Sequence, residues 1–260
     1  MKHKINKPSA DATRREFLQN LLAGSASATV LMVYNLGGAD SAEAQEARKA
    51  DGKTNYTYVM DLKNCIGCGN CVRACSRENN VPAGYFRTWV ERYVETDEGV
   101  YVDSPDGGMQ GFEAVNESIR AKAKAAYTVP KMCNHCKNAP CVQVCPVGAT
   151  FRTDDGFVLI DEKHCIGCGY CVQACPYGAR FINPVKRKAD KCTWCYHRVK
   201  NGKMPACVTV CPTRTRLFGD LNDPDSAVSK ILGKREYMVL KPHMYTDPAC
   251  FYIGLPKEVV

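Results

Sequence analysis

The sequence predicts an α+β protein that is rich in loops and consists of two similar β–α–β halves in a pseudo-two-fold arrangement. Three observations lead to this fold class. Cysteine makes up 17 of the 260 residues, and sixteen of these cysteines fall into four groups of four. The segments 65–75 and 165–175 agree at nine of eleven positions, which indicates an internal duplication. Short apolar segments precede two of the groups, as strands leading into loops would.

The four cysteine groups are defined by their spacing. Groups one and three share the spacing CxxCxxCxxxC, group two reads CxxCxxxxCxxxC, and group four has a CxxC and a CxxxC separated by eleven residues. Proline follows the last cysteine of groups two, three and four, whereas Ser76 follows it in group one. In chain order the groups are Cys65, Cys68, Cys71 and Cys75; Cys133, Cys136, Cys141 and Cys145; Cys165, Cys168, Cys171 and Cys175; and Cys192, Cys195, Cys207 and Cys211.

This spacing is typical of bacterial ferredoxins, which bind cubane 4Fe–4S clusters through cysteine thiolates. Three cysteines two residues apart wrap a tight loop around three corners of a cube, and the glycines of C-I-G-C-G let the backbone turn closely there. The fourth cysteine begins a new segment and ligates the other cluster of a pair. The predicted unit is therefore a two-cluster ferredoxin-like fold, present twice. Because groups two and three are adjacent, the simplest nested arrangement pairs two with three and one with four.

Zinc sites and disulfide bonds are the two alternative uses of so many cysteines. A structural zinc ion takes two CxxC pairs, which leaves the third closely spaced cysteine of a group without a role. Disulfides are common in exported proteins, but neighbouring cysteines in CxxC make poor structural bridges. The spacing therefore favours four 4Fe–4S clusters.

Residues 1–44 have the pattern of a twin-arginine signal peptide. A lysine-rich start precedes T-R-R-E-F-L at 13–18, an apolar run covers 21–36, and A-E-A at 42–44 offers a cleavage site. The alternative of a membrane anchor or transmembrane helix is less favoured, because this run of sixteen residues is short for a bilayer. Export after folding would shield the thiolates from an oxidising periplasm. We therefore expect a periplasmic protein whose four-cluster domain is 45–260.

The formal net charge of +8 does not indicate a nucleic-acid-binding protein. Residues 1–44 contain five Lys/Arg and four Asp/Glu, which leaves +7 for residues 45–260. Four thiolate-ligated clusters would add roughly −8 to −12. The basic residues are therefore interpreted as counter-charge for the clusters, and no nucleic-acid-binding motif is present.

Around the cysteine groups, the sequence predicts a scaffold of short elements. Strands are expected at 56–62 and 156–161, where apolar residues alternate. A hairpin is expected over 92–103, with its turn at E-T-D-E-G. Residues 104–126 are interpreted as an insertion between groups one and two, with a helix over 118–126.

The last forty residues are expected to contain one helix and a packing tail. The helix is predicted over 226–232, after Asp223-Pro224 and before Gly233. The tail 236–260 mixes apolar residues with proline and glycine, and we expect it to pack over the core.

Four segments carry a resemblance to a known family. They are MCNHCKNAPCVQVCPVGATF, DEKHCIGCGYCVQACPYGARFIN, ADKCTWCYHR and GKMPACVTVCP. The pattern resembles the iron–sulfur electron-transfer subunits of the dimethyl sulfoxide reductase family of molybdopterin oxidoreductases, in particular exported members such as those of tetrathionate reductases. The likeness extends over 56–219, and the insertion at 104–126 departs from it.

The resemblance implies a particular set of ligands for each cluster, with all sixteen positions occupied by cysteine. One cluster would be held by Cys65, Cys68, Cys71 and Cys211, and a second by Cys192, Cys195, Cys207 and Cys75. The third would be held by Cys133, Cys136, Cys141 and Cys175, and the fourth by Cys165, Cys168, Cys171 and Cys145. Group two and group three together occupy 130–182.

The resemblance also implies a role between two partners. The chain would relay electrons between an integral membrane quinone-binding subunit and a periplasmic catalytic subunit, a molybdopterin oxidoreductase acting on sulfur oxyanions or related substrates. An alternative is a quinone-linked membrane complex without molybdenum that passes electrons to cytochromes. A free multi-cluster ferredoxin is a third, less favoured class. No catalytic site and no small-molecule substrate are expected, since a thiolate-saturated cubane has no open coordination position.

Several other side chains near the cysteine groups are candidates for accessory roles. His135 and His197 could tune potentials, although a packing or surface role is favoured for both. Trp194 is interpreted as a shield over a cluster, and Cys250 as a buried hydrophobic residue. The aromatic residues of G-Y-F-R-T-W either cover a cluster or face a partner; they are Tyr85, Phe86 and Trp89.

Overall fold

The computed structural model of the protein describes residues 54–259, so the predicted signal peptide at 1–44 lies outside the described residues. The described part has the expected α+β class. Its strands are β1 Tyr56–Asp61, β2 Thr88–Thr96, β3 Gly99–Asp103, β4 Ala125–Met132, β5 Thr150–Arg152, β6 Val158–Ile160, β7 Arg180–Asn183, β8 Lys188–Lys191, β9 Arg216–Asp220 and β10 Cys250–Ile253. Its α-helices are α1 Asn70–Asn79, α2 Glu117–Arg120, α3 Pro140–Gln143, α4 Tyr170–Gln173, α5 Tyr196–Val199, α6 Ala206–Thr209 and α7 Ala227–Leu232.

Strand β1 is the centre of the first sheet, which has the order β10-β1-β9. It pairs antiparallel with β9 and parallel with β10, so that Tyr58 faces Phe218 on one side and Cys250 on the other. Five of its six residues are buried, as expected for a strand that is covered on both faces. Tyr58 also packs against Trp194, with ring centroids 5.2 Å apart. The strand predicted at 56–62 is confirmed.

The predicted hairpin over 92–103 is also confirmed, as part of a larger sheet. β2 and β3 pair antiparallel with Thr96 opposite Gly99, which leaves a two-residue turn. β4 pairs along the other side of β2, and the order is β3-β2-β4. All but the last residue of β3 are exposed, so β3 is an outer strand at the surface.

The prediction of a helix over 118–126 is wrong for most of this range. Only Glu117–Arg120 is helical, with Asn116 as its N-cap, and Ala125 already belongs to β4. The alanine- and lysine-rich segment favours a helix locally, but the Lys124 backbone N–H bonds to the Glu95 carbonyl and starts the pairing with β2. Here strand pairing over eight residues outweighs a weak local propensity.

The C-terminal residues contribute more than a packing tail. β10 forms a parallel edge of the first sheet, and all four of its residues are buried. The strand was not predicted, because its partner β1 lies almost two hundred residues earlier in the chain. The helix predicted over 226–232 is confirmed as α7, but its N-cap is Ser226, whose hydroxyl accepts from the Ser229 N–H.

Two small hairpins complete the scaffold. β5 pairs with β6, and β7 pairs with β8, both antiparallel. The strand predicted at 156–161 is present but shorter, as β6. Each hairpin follows a cysteine group directly, so that it fixes where the chain goes after the last cysteine of that group.

The residue after the last cysteine of a group determines the length of the helix that precedes it. Proline disfavours helical backbone at the residue before it. Helices α3, α4 and α6 end two residues before the last cysteine of their groups. In group one, Ser76 replaces the proline, and α1 continues through Cys75 to Asn79.

Candidate iron–sulfur sites

The first site, site A, is a partly open cavity lined by four cysteines from two distant groups. Cys65, Cys68 and Cys71 come from the loop before α1 and its first turn, and Cys211 comes from the segment before β9. Val90, Pro130 and Arg216 also line the cavity. The loop can turn this tightly because Gly67 and Gly69 adopt φ of +66° and +72°.

The second site, site B, is a cavity lined by the complementary set of cysteines. Cys192, Cys195 and Cys207 come from group four, and Cys75 comes from the middle of α1. Helix α1 packs against α6, which carries Cys207. The Tyr58 hydroxyl lies 3.2 Å from the Cys207 sulfur. Cys211 therefore lies beside the first three cysteines of group one, and Cys75 lies beside the first three of group four.

The third set, site C, joins Cys133, Cys136 and Cys141 of group two with Cys175 of group three. Burial raises the pKa of the Cys136 thiol to about 12, and the nearby thiols of Cys133, Cys141 and Cys175 act in the same direction. The Thr246 hydroxyl opposes this shift by bonding to the Cys136 sulfur. The tail supports this loop, because the Lys137 and Asn138 N–H groups donate to the carbonyls of 247 and 246.

The fourth set, site D, lies beside site C. Cys165 and Cys171 belong to the same buried cluster of side chains as Cys136 and Cys141, and α3 packs against α4. Cys168 is exposed, and Cys145 is partly exposed. The ligation of one cluster by Cys145 together with the three group-three cysteines stays a prediction.

Backbone N–H groups point at several of the cysteine sulfurs. The Trp194 N–H lies 3.4 Å from the Cys192 sulfur, and the Ala189 N–H lies 3.5 Å from that of Cys165. Burial acts to raise the pKa of Cys145, but donors on residues 147–150 outweigh it and lower that pKa. Cys211 has the same arrangement, with donors on residues 213–216. Such donors stabilise negative charge on sulfur.

Group one differs because no proline ends its helix. The Cys75 sulfur instead has a side-chain amide nearby, since Asn79 Nδ2 lies 3.5 Å from it and 3.9 Å from the Cys195 sulfur. Arg87 donates to the Asn79 amide oxygen at 3.0 Å and so fixes the orientation of the amide. Sequence reasoning missed Asn79, although its spacing of four residues from Cys75 on a helix would have placed both on one face.

The donor set fits a cubane cluster. All 17 cysteines are free thiols, and in sites A and B four of them surround a cavity. Within residues 54–259, no group of three or more His, Cys, Asp or Glu side chains is arranged to hold a single metal ion. Burial raises the pKa of Cys71 and Cys75, so that iron must displace protons when it binds. Four soft sulfur ligands spread around a cavity suit an iron–sulfur cluster.

Trp194 and the two histidines occupy distinct environments. Trp194 is 1% exposed, lines site B, and donates to the Cys133 carbonyl at 3.1 Å. His135 is fully buried and stacks on Trp194 at 4.1 Å. The Val158 N–H donates to His135 Nδ1 at 3.0 Å, so Nε2 carries the proton and donates to the Cys192 carbonyl. His197 lies at the surface beside Glu78, at 2.8 Å. A packing or surface role fits both histidines.

The remaining accessory candidates do not line the cavities of sites A and B. Cys250 is fully buried on β10, and burial raises its pKa to about 12, so its interpretation as a buried hydrophobic residue is confirmed. Tyr85 packs against Phe181 at 5.0 Å. Trp89 donates to the Glu91 carboxylate at 2.7 Å, and Phe86 lies against Gly107 in the insertion.

Comparisons with known proteins agree with this chemistry. Two models of 4Fe–4S dicluster domains match the chain, one over residues 64–149 and the other over 124–221. The chain is also similar to the B subunits of two tetrathionate reductases. It is 41% identical to that of Salmonella typhimurium, over 96% of this chain and 91% of that protein. It is 48% identical to that of Archaeoglobus fulgidus, over 80% of this chain and 86% of that protein.

A third relative comes from Halobacterium salinarum and bears the name of an iron–sulfur subunit of dimethyl sulfoxide reductase. The identity is 42%, over 77% of this chain and 79% of that protein. The chain belongs to the iron–sulfur subunits of the dimethyl sulfoxide reductase family. As a member of this family of iron–sulfur subunits, it carries 4Fe–4S clusters and transfers electrons. Among residues 54–259, no helix is both long and apolar enough to cross a membrane.

Proposed function

We propose that the chain relays electrons through four 4Fe–4S clusters, between a membrane quinone-binding subunit and a periplasmic catalytic subunit. The observation that carries this proposal is the adjacency of four cysteine sets. Cys192 and Cys207 of site B and Cys133 of site C belong to one cluster of buried side chains, and Cys71 of site A packs against this cluster. Sites C and D share one cluster of buried side chains. The order A–B–C–D is that of a continuous path.

The proposed ligands are the four cysteines of each set, with the fourth cysteine exchanged within each pair of groups. Each cluster, when bound, supplies a one-electron centre without an open coordination position. The chain itself excludes water from the middle of the path, where Cys75, Cys141 and Cys207 are buried. The two ends are more open, since Cys65 and Cys68 are partly exposed at site A and Cys168 is exposed at site D. These ends are where we place electron entry and exit.

The proposed partners and location follow from the relatives and from the N-terminal residues. Two relatives bear the names of B subunits of tetrathionate reductases, which supports a molybdopterin catalytic subunit acting on a sulfur oxyanion. The twin-arginine motif at Arg14-Arg15 supports export of the folded protein, with attachment to the membrane through the quinone-binding subunit.

The test is purification of the intact complex from membranes of the native host under anaerobic conditions. Addition of a reduced quinone should reduce those clusters whose potentials lie near or above that of the quinone, and their signals should appear in the electron paramagnetic resonance (EPR) spectrum. Added tetrathionate should reoxidise them, and molybdenum should be present. Reoxidation by co-purifying cytochromes in a complex without molybdenum would instead establish the alternative complex. Failure of the clusters to respond to any quinol would contradict the proposal.

A further inference from the structure

Four lysine or arginine side chains are buried among residues 54–259, and three of them have no acidic partner. Arg87 lies 2.7 Å from Asp190 and forms a buried ion pair. For the other three, no carboxylate of the described residues lies within ion-pair distance. They are exposed by only 5%, 1% and 2%: Arg180, Lys191 and Arg216. A buried charge without a partner is costly, so each of these side chains needs another source of negative charge.

Arg216 lies at the junction of sites A and B. It lines the cavity of site A and donates to the Thr88 hydroxyl at 2.8 Å. Thr88 lines the cavity of site B. The second terminal nitrogen contacts the Met132 sulfur at 3.3 Å. Cys71 of site A and Cys207 of site B are the strongest electrostatic partners of the guanidinium, and against the opposing effect of burial they raise its pKa.

Arg180 lies at the junction of sites C and D. Cys141 and Cys133 of site C and Cys171 of site D are its strongest electrostatic partners. Its Nη1 donates to the Thr150 hydroxyl at 3.3 Å, and the guanidinium also bonds to the Cys171 thiol of site D. Among the described residues, Nη2 is buried without a hydrogen-bond partner of its own. An unpartnered N–H of a guanidinium beside two thiol sets is the arrangement expected if the missing partner is the cluster itself.

Lys191 lies at the remaining junction, between sites B and C. It immediately precedes Cys192 of site B, and its ammonium donates to the Cys192 carbonyl at 2.7 Å. Burial lowers its pKa, and the nearby Arg180 guanidinium acts in the same direction, whereas Cys133 of site C and Cys192 of site B oppose this shift. The three basic side chains thus alternate with the four cysteine sets along the proposed path.

The two arginines occupy equivalent positions in the duplicated sequence. Each stands five residues after the cysteine of a Cys-Pro pair, in C-P-Y-G-A-R and C-P-T-R-T-R. Each begins the strand that follows its group, β7 in one case and β9 in the other. The third Cys-Pro segment has Thr150 at this position, and its hydroxyl accepts from Arg180. Both halves therefore direct a permanent cation to the junction of their own two sites.

We propose that Arg216, Lys191 and Arg180 are positioning residues for electron transfer, each placed at one junction of adjacent clusters to stabilise the reduced state of both. The inference rests on the proposed four-cluster path. When one electron passes from a cluster to its neighbour, negative charge moves across the junction by one unit and no bond forms or breaks. A cation between the two lowers the electrostatic cost of placing the electron on either side. The cations also reduce repulsion between neighbouring clusters in a dry interior.

The test compares charge-removing and charge-retaining variants of the full chain, loaded anaerobically with iron and sulfide. Arg216→Met and Arg180→Met remove the charge, and Arg216→Lys and Arg180→Lys retain it. Lys191→Met and Lys191→Arg form the third pair. Lys230→Met, an exposed residue paired with Asp225, changes the net charge equally at the surface. The readouts are iron content and the midpoint potentials of the EPR signals in a redox titration.

Each Met variant should disfavour reduction at the two clusters beside it at least tenfold, which is a fall of about 59 mV in potential. Arg216→Met should move the signals that Cys68→Ser and Cys207→Ser perturb. The charge-retaining variants and Lys230→Met should stay near the wild-type potentials. A Met variant that fails to load iron, where its charge-retaining partner loads fully, would also support the proposal.

Two outcomes would overturn the inference. Fully loaded Met variants with unchanged potentials would mean that the charge does not act on the clusters. Equal shifts, or equal loss of iron, in both members of a pair would mean that side-chain shape decides. Wild-type protein with fewer than four clusters would contradict the proposed path itself, which is a different result from either of these.

Discussion

Gly69 offers a sharp test of how the first cysteine loop is held in place. Its φ is +72°, and a Cβ there would lie within 3.0 Å of the carbonyl oxygens of Gly108 and Met109. These residues belong to the insertion between groups one and two. Arg73 ties the same two segments together, since its guanidinium donates to the carbonyls of both Cys68 and Met109. The insertion therefore packs directly on the loop that carries Cys65 and Cys68.

Gly169 is a matched control, because it holds the same place in group three. Its φ is +81°, but a Cβ there would meet nothing within 4 Å. Alanine at either position costs about 1–2 kcal/mol of backbone strain. Only Gly69→Ala adds a steric clash, and overpacking of this kind destabilises a protein by about 1–3 kcal/mol in addition to the backbone strain. The difference between the two variants isolates the contact with the insertion.

The assay is the apparent Tm of cluster loss, followed by visible absorbance under anaerobic conditions. A domain of this size changes Tm by about 2–4 °C for each kcal/mol. Gly69→Ala should therefore melt on the order of 5 °C below Gly169→Ala, and its EPR change should be confined to the signal of site A. Equal Tm values in the two variants would refute the account of the insertion as a cover on the first loop.

Three further predictions concern composition, hydrogen bonding and export. Iron and sulfide analysis of anaerobically purified protein should give about sixteen of each per chain, since a 4Fe–4S cluster holds four of each. The Cys250→Ala variant should contain the same amounts. Stoichiometric zinc, or iron near eight, would be incompatible with four clusters. Asn79→Leu should lower the midpoint potential of the site B signal alone, because it removes the amide donor near Cys75 and Cys195. An unchanged potential would mean that this amide does not stabilise the reduced cluster. Replacement of Arg14 and Arg15 by lysine should leave the loaded protein in the cytoplasm on cell fractionation, whereas continued export would argue against the twin-arginine pathway.

Local patterns predicted the elements that depend on neighbouring residues. The spacing of the cysteine groups, strand β1, the β2–β3 hairpin and helix α7 all follow from signals within about twenty residues. Elements that depend on distant partners were missed or misjudged. The sequence of β10 predicts only part of a tail of mixed composition, because the segment becomes a strand through its pairing with the distant β1. The segment 121–126 favours a helix locally, but its last residues pair with β2 and so belong to strand β4.

The residues of the candidate site show the same difference between local and long-range signals. The sixteen cysteines are evident from spacing, because ligands around one cube must be close in sequence or repeated in pattern. The basic junction residues carried no such signal in a chain with 35 lysines and arginines. The shared position of Arg180 and Arg216 after Cys-Pro becomes meaningful only when both side chains are known to be buried. Burial of a cation depends on the tertiary structure, and from the sequence alone these residues are interpreted only as general counter-charge.

The most direct test of the central account compares EPR spectra of Cys75→Ser, Cys207→Ser and Cys68→Ser in the loaded protein. Cys75 lies four residues from Cys71 in the chain, yet it lines the cavity of Cys192, Cys195 and Cys207. Cys75→Ser should perturb the same signal as Cys207→Ser and leave intact the signal that Cys68→Ser changes. If Cys75→Ser instead reproduced the spectrum of Cys68→Ser, the ligands of group one would be local, and the crossed four-cluster path would be wrong.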